Sequence, residues 1–131
     1  MIVKSNDQCF ACGKDNPVGL NLKFEPIPNG VKAEFTPPKV FEGFEDIIHG
    51  GIVATILDEA IAWACRVYKK DAVTGEITVR YKKPLKSNEP VMVYGIIEKH
   101  RGKLFWGSAY IQDKNGIVIA TATAKMVQVN K

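Results

Sequence analysis

Residues 49 to 65 read HGGIVATILDEAIAWAC, and the side chains best suited to chemistry are gathered in that stretch. His49, Gly50 and Gly51 stand at the head of an apolar helical run, with Asp58 and Glu59 in its middle. A carboxylate in such surroundings is costly unless it is paired or put to use. A glycine at a helix start leaves its backbone N–H unobstructed, and the helix dipole adds partial positive charge there. Gly50 is therefore a donor for an oxygen that turns negative during attack on a carbonyl, with Gly51 allowing close approach. Asp58 can attack that carbonyl directly or activate a water as general base, and the residues leave both routes open. His49 can orient the carbonyl, assist the leaving group, or serve only as a supporting hydrogen bonder. Glu59 sits about 100° round the helix from Asp58, so the two cannot face one group; it reads as structural or as a peripheral substrate contact. The bland alternative for Asp58 is a buried ion pair with Arg66 or a basic strand residue.

Spacing adds a constraint. Gly50 and Asp58 are eight residues apart, about 80° around a helix and about 12 Å along it; His49 lies a residue further and on roughly the opposite face from Asp58. The two groups cannot meet in one chain. Two such helices packed antiparallel about a two-fold axis would bring each glycine-headed N-terminus beside the other chain's carboxylate, so the spacing predicts a dimer.

The elements that must position these residues follow from periodicity. VGLNLKFEP and the segment after the PNG turn alternate Leu20, Leu22, Phe24 and Val31, Ala33, Phe35, the pattern of a β-hairpin. Residues 36–48, TPPKVFEGFEDII, read as a loop. From Gly51 to about Tyr68 apolar residues fill almost every position, which predicts a helix buried on all sides, with Trp63 and Cys65 in the core. ITVRYKKP, PVMVYGIIEKH, KLFWGSAYIQD and GIVIATATAKMVQV read as strands joined by LKSNE, RGK and DKNG, an antiparallel meander. The sum is an α+β architecture over residues 1–131, one domain with a long helix wrapped by an antiparallel sheet of five to six strands.

Composition narrows the function classes. The 131 residues are 46% hydrophobic, enough for a core, with no run of eighteen apolar residues and no apolar leader, so a soluble, cytoplasmic protein without membrane partners is expected. The net charge of +4 hides an asymmetry, since residues 1–65 carry 5 basic and 9 acidic side chains and residues 66–131 carry 13 and 5. Lys82, Lys83 and Lys86 after the first post-helix strand, with Arg101 and Lys103 at the next turn, form the best cluster for an anionic partner. Without aromatic interleaving or an arginine stripe, a small phosphorylated ligand fits better than nucleic acid, and a solvated lysine-rich surface is the plain alternative. Three cysteines argue for reduced thiols. Cys9 and Cys12 form a C-x-x-C, yet only Cys65, His49 and His100 remain as nitrogen or sulfur donors, so no metal site is expected and the segment reads as a tight turn.

CFACGKDNPVGL, HGGIVATILDEA and ITVRYKKP together resemble the PaaI-type hotdog acyl-CoA thioesterases, from Cys9 to about Val127. The resemblance implies a hotdog fold and metal-independent hydrolysis of an acyl-CoA thioester, with no cofactor beyond the coenzyme A of the substrate. It implies Gly50 as oxyanion donor, Asp58 as catalytic carboxylate, His49 as an orienting group, and Thr74 as the hydroxyl that positions nucleophile or water. It also implies a homodimer or dimer of dimers. Several relatives carry an amide side chain six residues before the histidine; Gly43 stands there, with Glu42, Glu45 or Asp46 as the nearest substitutes. That gap motivates the competing readings, a non-catalytic acyl-CoA-binding domain or, within the fold, hydratase or dehydratase chemistry.

Overall fold

The structure is a computed structural model that describes residues 3–68 and 70–130. Its strands are β1 (Glu25–Ile27), β2 (Gly30–Phe35), β3 (Glu42–Phe44), β4 (Ile47–Ile48), β5 (Ala72–Tyr81), β6 (Val91–Arg101), β7 (Leu104–Asp113) and β8 (Val118–Gln128), and the helix α1 (Gly50–Val67) lies between β4 and β5. Six strands form one sheet in the order β1-β2-β6-β7-β8-β5, antiparallel throughout, and α1 packs across it. One long helix wrapped by six antiparallel strands is the hotdog α+β architecture.

The meander is real for β6, β7 and β8, but β5 departs from it. It pairs with β8 rather than with its successor β6. The ten-residue strand thus forms one edge of the sheet, and among the described residues its outer side pairs with no strand. The helix separates β2 from β5 in sequence and spans the sheet between its two flanks.

Two further expectations are corrected. Leu20 and Leu22 are buried as their alternation demands, yet they precede β1 and hydrogen-bond through their N–H groups to the carbonyls of Phe10 and Ala11. The intervening Asn21 has φ 56°, which breaks the strand. The supposed loop 36–48 contains a 3-10 turn at Lys39–Phe41 and the β3–β4 hairpin, which reverses at Asp46 with φ 63°.

The core lies between α1 and the sheet. Ile56, Leu57 and Ile61 are fully buried, each contributing roughly 1.5–3 kcal/mol over an exposed position. The helix is not buried on every side: Ile52, Thr55, Asp58, Glu59, Ala62 and Trp63 are only half-buried, and Gly50, Gly51 and Val67 are exposed. Small residues let the helix sit low on its sheet. A Cβ on Gly95 would fall 2.2 Å from the Ala60 carbonyl oxygen, and one on Gly107 would fall 2.6 Å from Ile61 Cγ2. The Gly95–Gly107 floor therefore fixes the height of α1. Among the described residues no helix is long and apolar enough to cross a membrane.

Gly95→Ala must lift α1 from its seat. Urea unfolding is expected to show a loss of about 1–3 kcal/mol, the usual cost of overpacking a dense core.

Candidate functional site

The head of α1 is organised by His49, its N-cap. The backbone of His49 is extended at φ −55°, ψ 135°, and its Nδ1 accepts the Gly51 N–H at 2.9 Å. An accepting Nδ1 leaves the proton of the neutral ring on Nε2. Gly51 makes room for that ring, since a Cβ there would come within 3.2 Å of Nδ1. Gly43 lies behind it, where a Cβ would be 3.1 Å from His49 Cα, so a longer side chain at that position would press on the histidine. With the Gly51 N–H consumed and the Ile52 and Val53 N–H groups both bonded to the His49 carbonyl, the Gly50 N–H is the donor at the helix head without a partner among the described residues. The Gly50 carbonyl in turn accepts from the Tyr81 hydroxyl at 2.7 Å, tying the helix head to the end of β5.

A cleft of about 440 Å³ opens at this point. It is lined by the apolar Phe44, Ile47, Ile48, Val53, Pro84 and Leu85, and by His49, Gly50, Tyr81, Lys82 and Lys83. Tyr81 was not among the expected site residues. Its aromatic, polar-tipped place at a strand end was visible, but nothing in the sequence connects it to a carbonyl 31 residues earlier.

The second group sits further along α1. Asp58 Oδ1 accepts from Thr74 Oγ1 at 2.5 Å, and Thr74 stands on the exposed edge strand where the register of β5 slips between Thr74 and Glu76. Asp58 makes no ion pair among the described residues, which removes the buried salt bridge as the reason for its presence. Arg66, the suggested partner, lies 4.5 Å over the Trp63 ring and 3.9 Å from Asp71. Helix rise places this carboxylate about 12 Å from Gly50, and each of the two groups is tied to β5, Gly50 through Tyr81 and Asp58 through Thr74.

The basic cluster divides likewise. Lys82 and Lys83 border the cleft beside Gly50, and Lys86 lies just beyond, bridged to Ile47. Arg101 and Lys103 lie at the opposite end of the sheet, because Arg101 pairs with Leu104, Leu104 with Val127, and Val127 with Val73. That end is the one carrying Thr74. Two of the three acids near Gly43 are engaged elsewhere: Lys39 reaches Glu42 at 3.3 Å and Asp46 at 2.8 Å, and Ser87 donates to Glu42 at 2.6 Å. The Ser87 bond, followed by Lys39, holds the Glu42 carboxyl below its ordinary range.

Glu59 turns away from Asp58 toward the N-terminal C-x-x-C. Cys9 Sγ lies 3.9 Å from its Oε1, and the donor atoms of Cys9, Cys12 and Glu59 all fall within 4.8 Å of one another. Burial, then hydrogen bonding with Glu59 and Cys9, pushes the Cys12 thiol up to about 12, against the opposing indole of Trp63. Burial alone lifts Cys65 to about 11.

Residues 45–120 match the model of the thioesterase superfamily, a span that includes His49, Gly50, Asp58, Thr74 and the lysines after β5. The chain belongs to the thioesterase superfamily. It is 29% identical over 90 residues to the acyl-coenzyme A thioesterase THEM4 of Mus musculus, covering 68% of this chain. It spans only 39% of that relative's length. Among solved structures, the smu.793 protein of Streptococcus mutans bound to acetyl CoA superposes with a TM-score of 0.79 at 19% identity, covering 85% of this chain and 90% of that one. The PaaI protein of the E. coli phenylacetic acid degradation operon superposes at 0.76 and 16% identity, covering 82% and 83%. These two likenesses concern the fold.

Proline at the first helical position is tolerated, and the extended His49 backbone is what a residue before proline adopts. Gly50→Pro is therefore expected to keep the helical circular dichroism and lose less than about 0.5 kcal/mol. Gly51→Pro removes the donor that His49 caps and crowds its ring, so unfolding should reveal a loss of about 0.5–2 kcal/mol.

Proposed function

We propose that this protein hydrolyses an acyl-CoA thioester to the free acid and coenzyme A, as a PaaI-type hotdog thioesterase whose sites are completed by a second copy of the chain. The observation that carries this reading is the division of the site: an unpartnered Gly50 N–H over a cleft, and a hydroxyl-held carboxylate about 12 Å further along the same helix.

The open edge of β5 supplies the means of joining them. If two copies pair antiparallel along β5, the Thr74 end of one strand lies beside the Tyr81 end of the other, and the half-exposed faces of the two helices meet. Asp58 of one chain then approaches Gly50 of its partner, twice over. The same pairing carries the Arg101–Lys103 end of one chain to the Lys82–Lys83 end of the other, gathering positive charge where the coenzyme A phosphates would lie. Lys86 extends that rim, Gly51 fixes the histidine at its edge, and Glu59 stays peripheral.

In this arrangement the thioester oxygen receives the Gly50 N–H and the positive end of α1 as it becomes an oxyanion. His49, its Nε2 proton free, steers the acyl carbonyl or the departing sulfur. Thr74 fixes one oxygen of Asp58 and leaves the other for the reaction. Asp58 removes a proton from water as the hydroxide oxygen bonds to the carbonyl carbon; collapse breaks the C–S bond and the thiolate takes the proton. In the alternative route Asp58 attacks first and the C–S bond breaks to expel the coenzyme A thiolate; water then opens the acyl anhydride to the free acid, restoring the Asp58 carboxylate, and the proton released goes to the thiolate.

The relatives support this reading. The mouse protein bears the name of an acyl-CoA thioesterase, and a hypothetical thioesterase of Streptococcus pneumoniae was solved with coenzyme A. Structures of that protein also exist for alanine variants at a threonine and at an aspartate sixteen residues before it, the separation of Asp58 and Thr74.

Thiol release from short, medium, long and aromatic acyl-CoA esters tests the proposal. Asp58→Asn is expected to lower kcat about 100-fold or more, and Gly50→Pro about 10²–10³-fold, with the oligomer intact. Binding of coenzyme A without turnover of any ester would point instead to an acyl-CoA-binding domain. Hydration of an enoyl ester would point to a hydratase.

A further inference from the structure

We propose that Cys9, Cys12 and Glu59 form a binding site for one thiophilic divalent cation of the zinc class, clasping the N-terminal segment to α1 beside Asp58. Counting nitrogen and sulfur donors along the sequence discounts such a site, because it overlooks a carboxylate 50 residues from Cys9. The fold brings it in. Tetrahedral zinc with bonds of roughly 2.3 Å to sulfur and 2.0–2.2 Å to oxygen sets neighbouring ligand atoms roughly 3.5–3.8 Å apart. The 3.9 Å between Cys9 Sγ and Glu59 Oε1 is already near that, and no donor pair in the trio exceeds 4.8 Å.

The loop is shaped for two sulfurs on one side. Gly13 N–H donates to the Cys9 carbonyl at 2.8 Å, closing the turn, and a Cβ on Gly13 would fall 2.4 Å from Cys9 N. Glu59 is half-buried and makes no ion pair among the described residues, and the groups beside its carboxylate are the two thiols.

An independent observation points the same way. Trp63 Nε1 is buried and completes no well-formed hydrogen bond among the described residues, and the acceptor it approaches is the Cys12 sulfur. A neutral thiol is a weak acceptor, whereas a metal-bound thiolate is a strong one. The indole N–H one helical turn beyond Glu59 thus gains its partner when Cys12 ligates, as outer-shell donors to metal-bound sulfur do. Two thiolates select zinc or cobalt over magnesium and calcium, and solvent completes the fourth position.

The test uses the whole 131-residue chain, reduced and freed of metal with a chelator, then titrated with Co²⁺ and followed by thiolate-to-cobalt charge-transfer absorption. Saturation at one equivalent, displacement by Zn²⁺ but not Mg²⁺, and a rise in Tm of about 5 °C or more with excess Zn²⁺ are expected. Cys12→Ser should lose most of the charge-transfer intensity, and Glu59→Gln should bind at least tenfold more weakly. No charge-transfer band in the folded wild-type protein would overturn the site, as would undiminished affinity in Glu59→Gln. The wild-type titration is decisive even where a variant fails to fold.

Discussion

An α-helix is a rigid ruler, and here its rise separates a glycine N–H from a carboxylate by about 12 Å. The protein cannot shorten that distance. The helix is pinned at its middle by the Gly95–Gly107 floor, at its head by the Tyr81 hydroxyl, and at Asp58 by Thr74. Both of the latter residues belong to β5, so the edge strand holds the head and the middle of the helix, where Gly50 and Asp58 stand, at fixed points along its own length. Geometry that is fixed in one chain but incomplete there is an argument for a second.

The edge strand itself supports that argument. A ten-residue strand with an open side is a liability unless it is bulged, charged or covered. β5 carries a slip at Thr74–Glu76 and the charges of Glu76 and Arg80, yet it is ten residues long and its outer side pairs with no strand among the described residues. The helix positions beside it, Asp58 bonded to Thr74 and Ala62 in a cleft with Ala72, are only half-buried. In the proposed dimer, a copy of the chain would cover both, removing the exposed edge and completing the proposed site in one step.

Much of this was legible in the sequence, because it rests on local rules. Apolar periodicity placed α1 to within a residue or so, and β6 to β8 followed from alternation and turn chemistry. The pairing of Asp58 with Thr74 lay in motif resemblance, and the structure brings the two side chains together. What escaped was long-range. No pattern of polarity marks Gly95 as the seat of Ala60, or Tyr81 as the anchor of Gly50. Leu20 and Leu22 obeyed their alternation in burial while their N–H groups bonded to a loop, since burial follows side chains and strand pairing follows backbone partners. The helix looked buried all round because apolar residues also fill positions outside the sheet-facing stripe, where Ile52, Ala62 and Trp63 are only half-covered.

The shared site is tested most directly by subunit complementation. Asp58→Asn and Gly50→Pro chains are mixed in equal amounts, unfolded and refolded together, and assayed for acyl-CoA hydrolysis. If each site takes its carboxylate from one chain and its N–H donor from the other, mixed dimers carry one intact site, and random assortment restores about a quarter of wild-type activity. If the mixture is no more active than the two variants refolded separately, while mixed dimers are present, each site is contained within a single chain and the shared-site reading is wrong.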